Sequence, residues 1–289
     1  MKNRWLINLL LFVLIGSLVL VGILLYQSRK PPAPKVLMAR ILPEEINDIR
    51  IRRRDHPEVW LIRVGDVWKL KKPVRARSNR FNVAKVLQIP QAPISTEIEI
   101  KNNSELKKYG LHRPHAQLFI NQQRIDFGDP HPLNSQQYVR VKDTVYLIPQ
   151  QYFRVIANPL NSMLSQRLLE QQCQPQAFYL PASTLQQQGE QWQLHPKRRN
   201  ISTDRINRFV KEWRYASALS VSLYNGMGMK DRIRIVCRAS DKRPRYAIPI
   251  QVLQYRPELI LYRQDEKLQY RLPAGLAQRL VMPFQRKDK

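Results

Sequence analysis

The sequence predicts a strand-dominated α+β protein with one N-terminal transmembrane helix followed by two similar α+β units. Three observations predict it: an uncharged apolar stretch near the N-terminus, a succession of short runs that alternate apolar and polar residues, and two tryptophan-bearing segments at a repeated spacing. The chain has 21 prolines and 9 glycines in 289 residues. These residues punctuate the short runs and favour strands over long helices.

The N-terminal segment between Trp5 and Tyr26 carries no charge. About 20 apolar residues suffice for a helix to cross the hydrocarbon core of a bilayer, and aromatic rings at the two ends favour the head-group layer. A basic pair flanks each side of the segment: Lys2, Arg4, Arg29 and Lys30. Because no small-residue cleavage site follows, we expect residues 1–27 to be a short tail and an uncleaved signal anchor.

The orientation of this segment is predicted from its short N-terminal head. The positive charges on its two sides nearly balance, with Lys35 and Arg40 adding to the C-terminal side. A short head is typical of a signal anchor, and long domains translocate largely regardless of their charge. We therefore expect the N-terminus in the cytoplasm and the C-terminal domain outside.

A proline-rich linker is predicted at residues 28–40, where Pro31, Pro32 and Pro34 favour an extended, semi-rigid chain. Beyond it we expect a first α+β unit at 41–172 and a second unit with a basic tail at 173–289. Helices are predicted over 81–89, over 152–172 with an interruption at Pro159, and around Ile206 to Ser217.

A duplication is predicted from the spacing of two pairs of segments. Trp68 in VWKL and Trp192 in QWQL are 124 residues apart, and VYLIP begins 123 residues before LQYRLP. Two independent pairs agree within one residue. A repeat of this length indicates two similar supersecondary units packed together instead of a solenoid of many small repeats.

The chain is strongly basic, with a formal net charge of +27. Subtracting the four basic residues of the first 30 leaves +23, so the basicity belongs to the globular part and favours an anionic partner. Only Cys173 and Cys237 are present, which excludes a disulfide-rich scaffold and a four-cysteine zinc site. Two buried thiols and one disulfide both remain open.

Several segments of the first unit carry a family resemblance: LKKYGL at 106–111 followed by Arg113-Pro114, FGDP at 127–130, QYVRV at 137–141 and VYLIP at 145–149. They resemble the bacterial family catalogued as domain of unknown function 4340. The resemblance covers 40–170 closely and 175–285 as a divergent second copy. It implies a membrane-anchored, β-rich envelope protein in the bacterial inner membrane, with relatives beside gliding-type ABC transporter components, and it brings no catalytic residues.

No chemical motif stands out in the sequence. A nucleophile elbow G-x-S-x-G and a phosphate-binding glycine loop are both missing from it. His112, His115 and His131 lie near Asp129, but the flanking prolines favour solvated loops over a metal site. We therefore predict no catalytic residue, no cofactor and no metal, and a protein that is not an enzyme.

Two basic stripes are the candidate binding residues. If Ile49 and Ile51 face the core, the arginines between and beyond them project together on the opposite face, and the same holds for the strand around Ile233 and Ile235. The stripes comprise Arg50, Arg52 and Arg54 in the first unit, and Arg232, Arg234 and Arg238 in the second. An ordinary solvated sheet face is the competing interpretation.

Three functions compete. The leading one is a non-catalytic single-pass inner-membrane protein whose periplasmic domain binds a partner protein or an anionic envelope polymer, with an accessory role beside a transport system. A cytoplasm-facing binder of nucleic acid or acidic lipid needs the opposite topology, and nucleic acid is the less expected partner. A reporter fused to the C-terminus and active only in the periplasm separates these two. An envelope hydrolase needs a cleft with converging polar groups.

Overall fold

The computed structural model describes residues 2–28, 35–38, 40–198, 201–238 and 244–284. The chain divides into two compact units, Met1–Val36 and Leu37–Lys289. Both predicted α+β regions lie in the second unit. Most of the predicted proline-rich linker, residues 29–34 and 39, lies outside the described residues.

The first unit contains helix α1 (Lys2–Ser28). Its side chains are described at Trp5 and at 7–23, and the large apolar ones among them are exposed, with Trp5 70% and Phe12 78% accessible. Among the described residues, no helix is long and apolar enough to cross a membrane. The structure thus shows a helix where the sequence predicts one but gives no support to the prediction that it crosses a membrane.

The first sheet of the second unit is antiparallel and has nine strands in the order β4-β3-β2-β1-β6-β7-β8-β9-β5. Helices α2 (Arg80–Leu87) and α3 (Gln151–Ala157) belong to the same half of the chain. The strands are β1 (Asp48–Arg53), β2 (Val59–Val64), β3 (Val67–Lys72), β4 (Ala76–Arg77), β5 (Thr96–Glu99), β6 (Ala116–Ile120), β7 (Gln123–Pro130), β8 (Gln136–Val141) and β9 (Thr144–Pro149).

The second sheet is also antiparallel and has eight strands in the order β12-β11-β10-β14-β15-β16-β17-β13. Helices α4 (Thr203–Tyr215) and α5 (Leu276–Leu280) accompany it. The strands are β10 (Gln174–Leu180), β11 (Ser183–Gln188), β12 (Gln191–His195), β13 (Ser220–Leu223), β14 (Asp231–Arg238), β15 (Tyr246–Gln254), β16 (Leu259–Arg263) and β17 (Leu268–Leu272). The protein is therefore a strand-dominated α+β fold with two antiparallel sheets.

The two sheets share one strand order once the two-residue β4 is set aside. Trp68 in β3 pairs opposite Arg63 of β2, and Trp192 in β12 pairs opposite Gln187 of β11. Each tryptophan is the second residue after a two-residue hairpin turn that begins with glycine, Gly65 or Gly189. A duplication requires this equivalence of strand order and register.

One hydrophobic core runs through both halves of the second unit. Alternation along β1 buries Ile49 and Ile51, because successive side chains of a strand point to opposite faces. In α4 the buried residues Ile206, Phe209 and Trp213 recur at helical spacing. Complete burial of such side chains contributes about 1.5–3 kcal/mol each, so the core supplies the main stabilisation.

The segment between the two sheets differs in part from its prediction. A helix was predicted over 152–172 with an interruption at Pro159; the interruption is confirmed, but α3 ends at Ala157 and the 3-10 helix Leu160–Met163 follows in place of a second α-helical part. Pro159 lacks an amide hydrogen and cannot continue the helix. Farther on, the backbone of Leu168 donates to Ala216, and that of Ala218 donates to Gln166, at 3.1 and 2.8 Å. These hydrogen bonds to the second half of the chain take the place of the i→i−4 hydrogen bonds that a helix would have made here.

Candidate functional site

The predicted stripe on β1 lies on the face opposite Ile49 and Ile51, as the alternation requires. Arg50 pairs with Asp48 at 2.9 Å and Arg52 with Glu58 at 2.7 Å. Arg54 follows the strand in a turn and donates to the backbone of Arg113 at 3.0 Å. Acidic neighbours thus neutralise part of this stripe, and its role in binding stays a prediction.

A second basic group surrounds Trp60 on the same face. The register between β2 and β3 shifts opposite Trp60, so Lys71 and Lys72 both approach its ring, with Nζ–centroid distances of 3.7 and 5.4 Å. The guanidinium carbon of Arg50 lies 4.6 Å from the same centroid. A cation over a tryptophan ring is attracted to its negative face. We name these four residues, Arg50, Trp60, Lys71 and Lys72, the Trp60 patch.

The stripe on β14 has the predicted phase. Ile233, Ile235 and Cys237 are buried, whereas Arg232 and Arg234 are exposed and Arg238 is half-buried. The guanidinium carbon of Arg234 lies 4.1 Å from the centroid of the Tyr179 ring. A shallow cavity of about 290 Å³ lies beside these residues and is lined by Tyr179, Leu180, Arg232, Ile233, Arg234, Pro249, Ile250, Gln251 and Gln264.

Cys237 points into the core, as predicted, and forms a disulfide with Cys173. Cys173 ends the segment that connects the two sheets, while Cys237 lies near the end of β14. Both residues are completely buried. The bond resolves the alternative that the sequence left open and fixes the connecting segment to the second sheet.

The junction of the two sheets contains a buried ionic cluster. Arg77 of β4 donates from Nε to Glu266 at 2.6 Å and from Nη2 to Tyr270 at 3.1 Å. Its Nη2 also donates to the backbone oxygens of Arg167 and Leu168, at 2.7 and 3.4 Å. This arginine of the first sheet therefore contacts β17, the β16–β17 turn and the connecting segment.

Arg263 of β16 completes this cluster from the second sheet. Its side chain is 1% exposed and donates to the backbone of Leu168 at 2.8 Å and to Glu170 at 3.0 Å. It also pairs with Asp265 and, at 3.6 Å, with Glu266. We name Arg77, Glu170, Arg263, Asp265, Glu266 and Tyr270 the junction cluster. Charges as buried as these persist only when they are paired.

A groove of about 460 Å³ opens beside the junction cluster. One wall carries basic side chains and the other carries the carboxylates of the cluster. The lining comprises Ile62, Lys69, Leu70, Lys71, Arg75, Ala76, Arg77, Glu170, Asp265 and Glu266. We name this cavity the junction groove. It adjoins the Trp60 patch because Lys71 belongs to both.

A second, smaller core underlies the LKKYGL segment. Leu106 and Leu111 are buried with Val145 against the outer part of the first sheet. Here the chain passes so close to β7 that a Cβ atom on Gly110 would lie 2.3 Å from Cγ of Asp129. A Cβ atom on Gly128 would lie 2.1 Å from the backbone oxygen of Tyr109. Only glycine fits at these two positions, which explains why the Tyr-Gly-Leu and Gly-Asp elements occur together.

Comparison with known proteins identifies the family. The family model described as "Domain of unknown function (DUF4340)" matches residues 68–220, more than half of the chain. The chain belongs to this family. No curated protein and no solved structure matches it.

The DUF4340 match begins at Trp68 in β3 and ends at Ser220, the first residue of β13. The matched region includes Gly110 and Gly128. It also includes Lys69, Lys71 and Arg75, which form the basic wall of the junction groove. Arg263 and Glu266, on the opposite side of the cluster, lie beyond it. The DUF4340 region therefore supplies the basic residues and Glu170 of the groove, and the β16–β17 turn supplies Asp265 and Glu266.

The histidines of this DUF4340 protein lie outside the groove. Nε2 of His115 is 2.7 Å from Oδ1 of Asp129 on an exposed surface. The ring centroid of His131 is 5.6 Å from that of Tyr138. Within the described part of the chain, no group of three or more His, Cys, Asp or Glu side chains is arranged to hold a metal ion.

The pKa of Glu266 controls part of the acid stability of this DUF4340 protein. Burial raises this pKa, but the charge and hydrogen bonds of Arg77, the charge of Arg263 and the hydrogen bond from Tyr270 outweigh burial and hold it at about 2, below its ordinary 4.5. A carboxyl with a depressed folded-state pKa stabilises the fold above the unfolded value, and this stabilisation is lost as the pH falls toward the folded value.

We expect the free energy of unfolding to fall between pH 4.5 and pH 2, in part because Glu266 must accept a proton on unfolding. Glu266→Gln removes that contribution, so the difference in unfolding free energy between the parent and the variant should shrink across this interval. Urea denaturation at several pH values measures it. A difference that stays constant from pH 6 to pH 2 would show that Glu266 has no depressed pKa.

Proposed function

We propose that this protein is a non-catalytic, membrane-anchored protein of the bacterial envelope whose globular unit binds a partner protein or an anionic envelope polymer. The observation that carries the proposal is the grouping of cations with aromatic rings on exposed sheet faces, in the Trp60 patch and beside Tyr179. Such faces attract anionic groups and offer flat apolar contacts beside the charge.

The proposed location is supported by α1 and by the disulfide. The sequence of α1 is uncharged between Trp5 and Tyr26, which suits a hydrocarbon environment. Disulfides such as Cys173–Cys237 form and persist in oxidising compartments and are rare in the cytoplasm. The helix suits either topology, whereas the disulfide favours a globular unit on the periplasmic side of the inner membrane over one that faces the cytoplasm.

The binding role is supported by the charge distribution. Arg232 and Arg234 are exposed on one face of β14, with a cavity beside them. On the first sheet, Lys69, Lys71 and Arg75 have no carboxylate within ion-pair distance among the residues that the structure describes. A surface with an excess of unpaired cations raises the local concentration and the association rate of an anionic partner.

We propose a non-catalytic role because the carboxylates of the junction groove pair with arginines. A general acid that works near neutral pH needs a raised pKa, as in glycoside hydrolases. The pKa of Glu266 is depressed instead, and Arg77 holds its carboxylate ionised. Asp265 and Glu170 both pair with Arg263. These carboxylates serve the junction cluster and not proton transfer.

The test is retention of the purified full-length chain, in detergent, on immobilised lipopolysaccharide, cell-wall polymer, acidic phospholipid and DNA across a salt series. We expect retention on an envelope ligand to fall with salt, because screening weakens exposed charge pairs. The variant Arg232→Gln/Arg234→Gln/Arg238→Gln should bind at least tenfold more weakly and with a flatter salt dependence, while urea denaturation should still show a folded chain, because the substitutions at the exposed Arg232 and Arg234 each change the unfolding free energy by about 0.5 kcal/mol or less.

A matched control loses the same three charges elsewhere. Lys101, Lys107 and Lys108 are exposed and lie on the loop and 3-10 helix that follow β5, so their replacement by glutamine should leave retention close to that of the parent. Equal retention of the parent, the β14 variant and the control on every support would refute binding through β14. Retention on DNA alone would favour the cytoplasm-facing alternative.

A further inference from the structure

The basic wall of the junction groove is formed by three side chains from the β3–β4 hairpin. Lys69 and Lys71 lie on β3, and Arg75 lies in the turn that leads to β4. All three line the same cavity of about 460 Å³. Within the described part of the chain, no hydrogen bond or ion pair engages their charged groups, although Lys71 also contacts the Trp60 ring. Their donors are therefore available to a ligand.

The floor of the groove adds an ordered donor. The guanidinium of Arg77 is held by Glu266, Tyr270 and two backbone oxygens, and these bonds use its Nε and Nη2 atoms. No described residue accepts a hydrogen bond from Nη1. Because Arg77 lines the groove and its side chain is only 15% exposed, this nitrogen is a fixed donor in a partly desolvated place. Charge-assisted hydrogen bonds are stronger than neutral ones.

The net charge around the groove favours a phosphate group over a carboxylate as the ligand. Four basic side chains line the groove, those of Lys69, Lys71, Arg75 and Arg77, together with three carboxylates, those of Glu170, Asp265 and Glu266. The lining thus has a balance of +1, and the buried Arg263, which pairs with all three carboxylates from behind the lining, raises the local balance to +2. A phosphate monoester carries up to two negative charges and three strong acceptor oxygens, whereas a carboxylate carries one charge and two oxygens.

We propose that the junction groove is a binding site for a phosphate group, held by Lys69, Lys71 and Arg75 at its rim and by Nη1 of Arg77 at its floor. This inference rests on the proposed function, since it names the chemical group of the anionic partner and adds a binding place to the stripe on β14. The group is a phosphomonoester of an envelope polymer, a phosphomonoester lipid head group or free phosphate, which share this chemistry.

The first experiment is isothermal titration of the purified full-length chain, in detergent, with inorganic phosphate at constant ionic strength, and with acetate as the carboxylate comparison. We expect phosphate to bind more tightly than acetate.

Lys69→Gln/Lys71→Gln/Arg75→Gln should weaken phosphate binding at least tenfold, because each lost charge-assisted contact contributes substantially. Lys101→Gln/Lys107→Gln/Lys108→Gln should bind phosphate like the parent. Urea denaturation of the groove variant should show an intact fold, because its three side chains make no ion pair with a described residue.

The second experiment distinguishes the possible sources of the phosphate group. It also distinguishes a failure of the groove assignment from a failure of the proposed function. Inorganic phosphate should displace the chain from the support that carries the natural source, either lipopolysaccharide or immobilised phosphatidic acid. Salt-sensitive retention that neither phosphate nor the groove substitutions reduce would overturn the groove assignment and leave the proposed function standing. Phosphate binding without retention on any support would overturn the proposed function and identify free phosphate as the ligand. Phosphate binding that is equal in the parent and the groove variant would also overturn the assignment.

Discussion

Arg263→Ala is expected to lower the free energy of unfolding by about 3–5 kcal/mol, which is the usual cost of removing one member of a buried charge network. The guanidinium is 1% exposed and contacts Glu170, Asp265 and Glu266. Its removal leaves these carboxylates near the core with Arg77 as the remaining cation of the cluster. It also leaves the backbone oxygen of Leu168 without the Arg263 hydrogen bond. Urea denaturation of the purified chain at neutral pH measures the loss.

The matched control for this prediction is Arg271→Ala. Arg271 lies on the neighbouring strand β17 and pairs with Glu258 at 3.3 Å, but the two side chains are 51% and 36% exposed. Exposed pairs contribute about 0–1 kcal/mol. The control should therefore remain close to the parent. If both variants lost the same small amount, the junction cluster would have to be solvated in solution, contrary to its burial in the structure.

Replacing Cys173 and Cys237 with alanine is expected to lower the free energy of unfolding by about 4 kcal/mol, from the loop entropy that a disulfide of this span removes from the unfolded chain. The two cysteines are 64 residues apart. The loop holds β10, β11, β12, α4, β13 and all of β14 but its last residue, so reduction frees more than half of the strands of the second sheet in the unfolded chain. Denaturation of the parent with and without a reductant gives the same comparison without a substitution.

Whether Cys173 and Cys237 are oxidised in cells indicates the compartment in which the globular unit lies. We expect alkylation of whole cells under denaturing, non-reducing conditions to leave Cys173 and Cys237 unlabelled, and labelling to require prior reduction. A chain that labels fully without reduction would have its globular unit in a reducing compartment. That result would contradict the periplasmic location and favour the cytoplasm-facing alternative.

Much of the strand content could be predicted from the sequence because the relevant side chains alternate. RIRIVCR at 232–238 and LQYRL at 268–272 show the period of two that a half-buried strand imposes. The strand β11, STLQQQ, was not predicted, because it is almost entirely polar and has one buried residue, Leu185. β11 forms a strand because it pairs with β10 and β12, and its own composition does not indicate this.

The candidate site was predictable only in part. Arg263 is in phase with the buried Leu259 and Leu261, but Ile260 is buried too, so the pattern of LILYR alone does not identify a buried arginine. Its partner Glu170 could not be predicted either, because it is 93 positions away along the chain. The two lysines at Trp60 depend on a register shift between β2 and β3. A run of VWKLKK does not reveal where such a shift occurs.

The junction cluster makes the two sheets dependent on each other. Arg77 comes from the strand β4, which has no counterpart in the second sheet, while its carboxylate partner Glu266 comes from the β16–β17 turn of the second half. A chain cut between the two sheets would separate Arg77 from Glu266 and leave each charge without that partner. The two sheets are therefore complementary at this junction, and neither sheet alone contains the whole cluster.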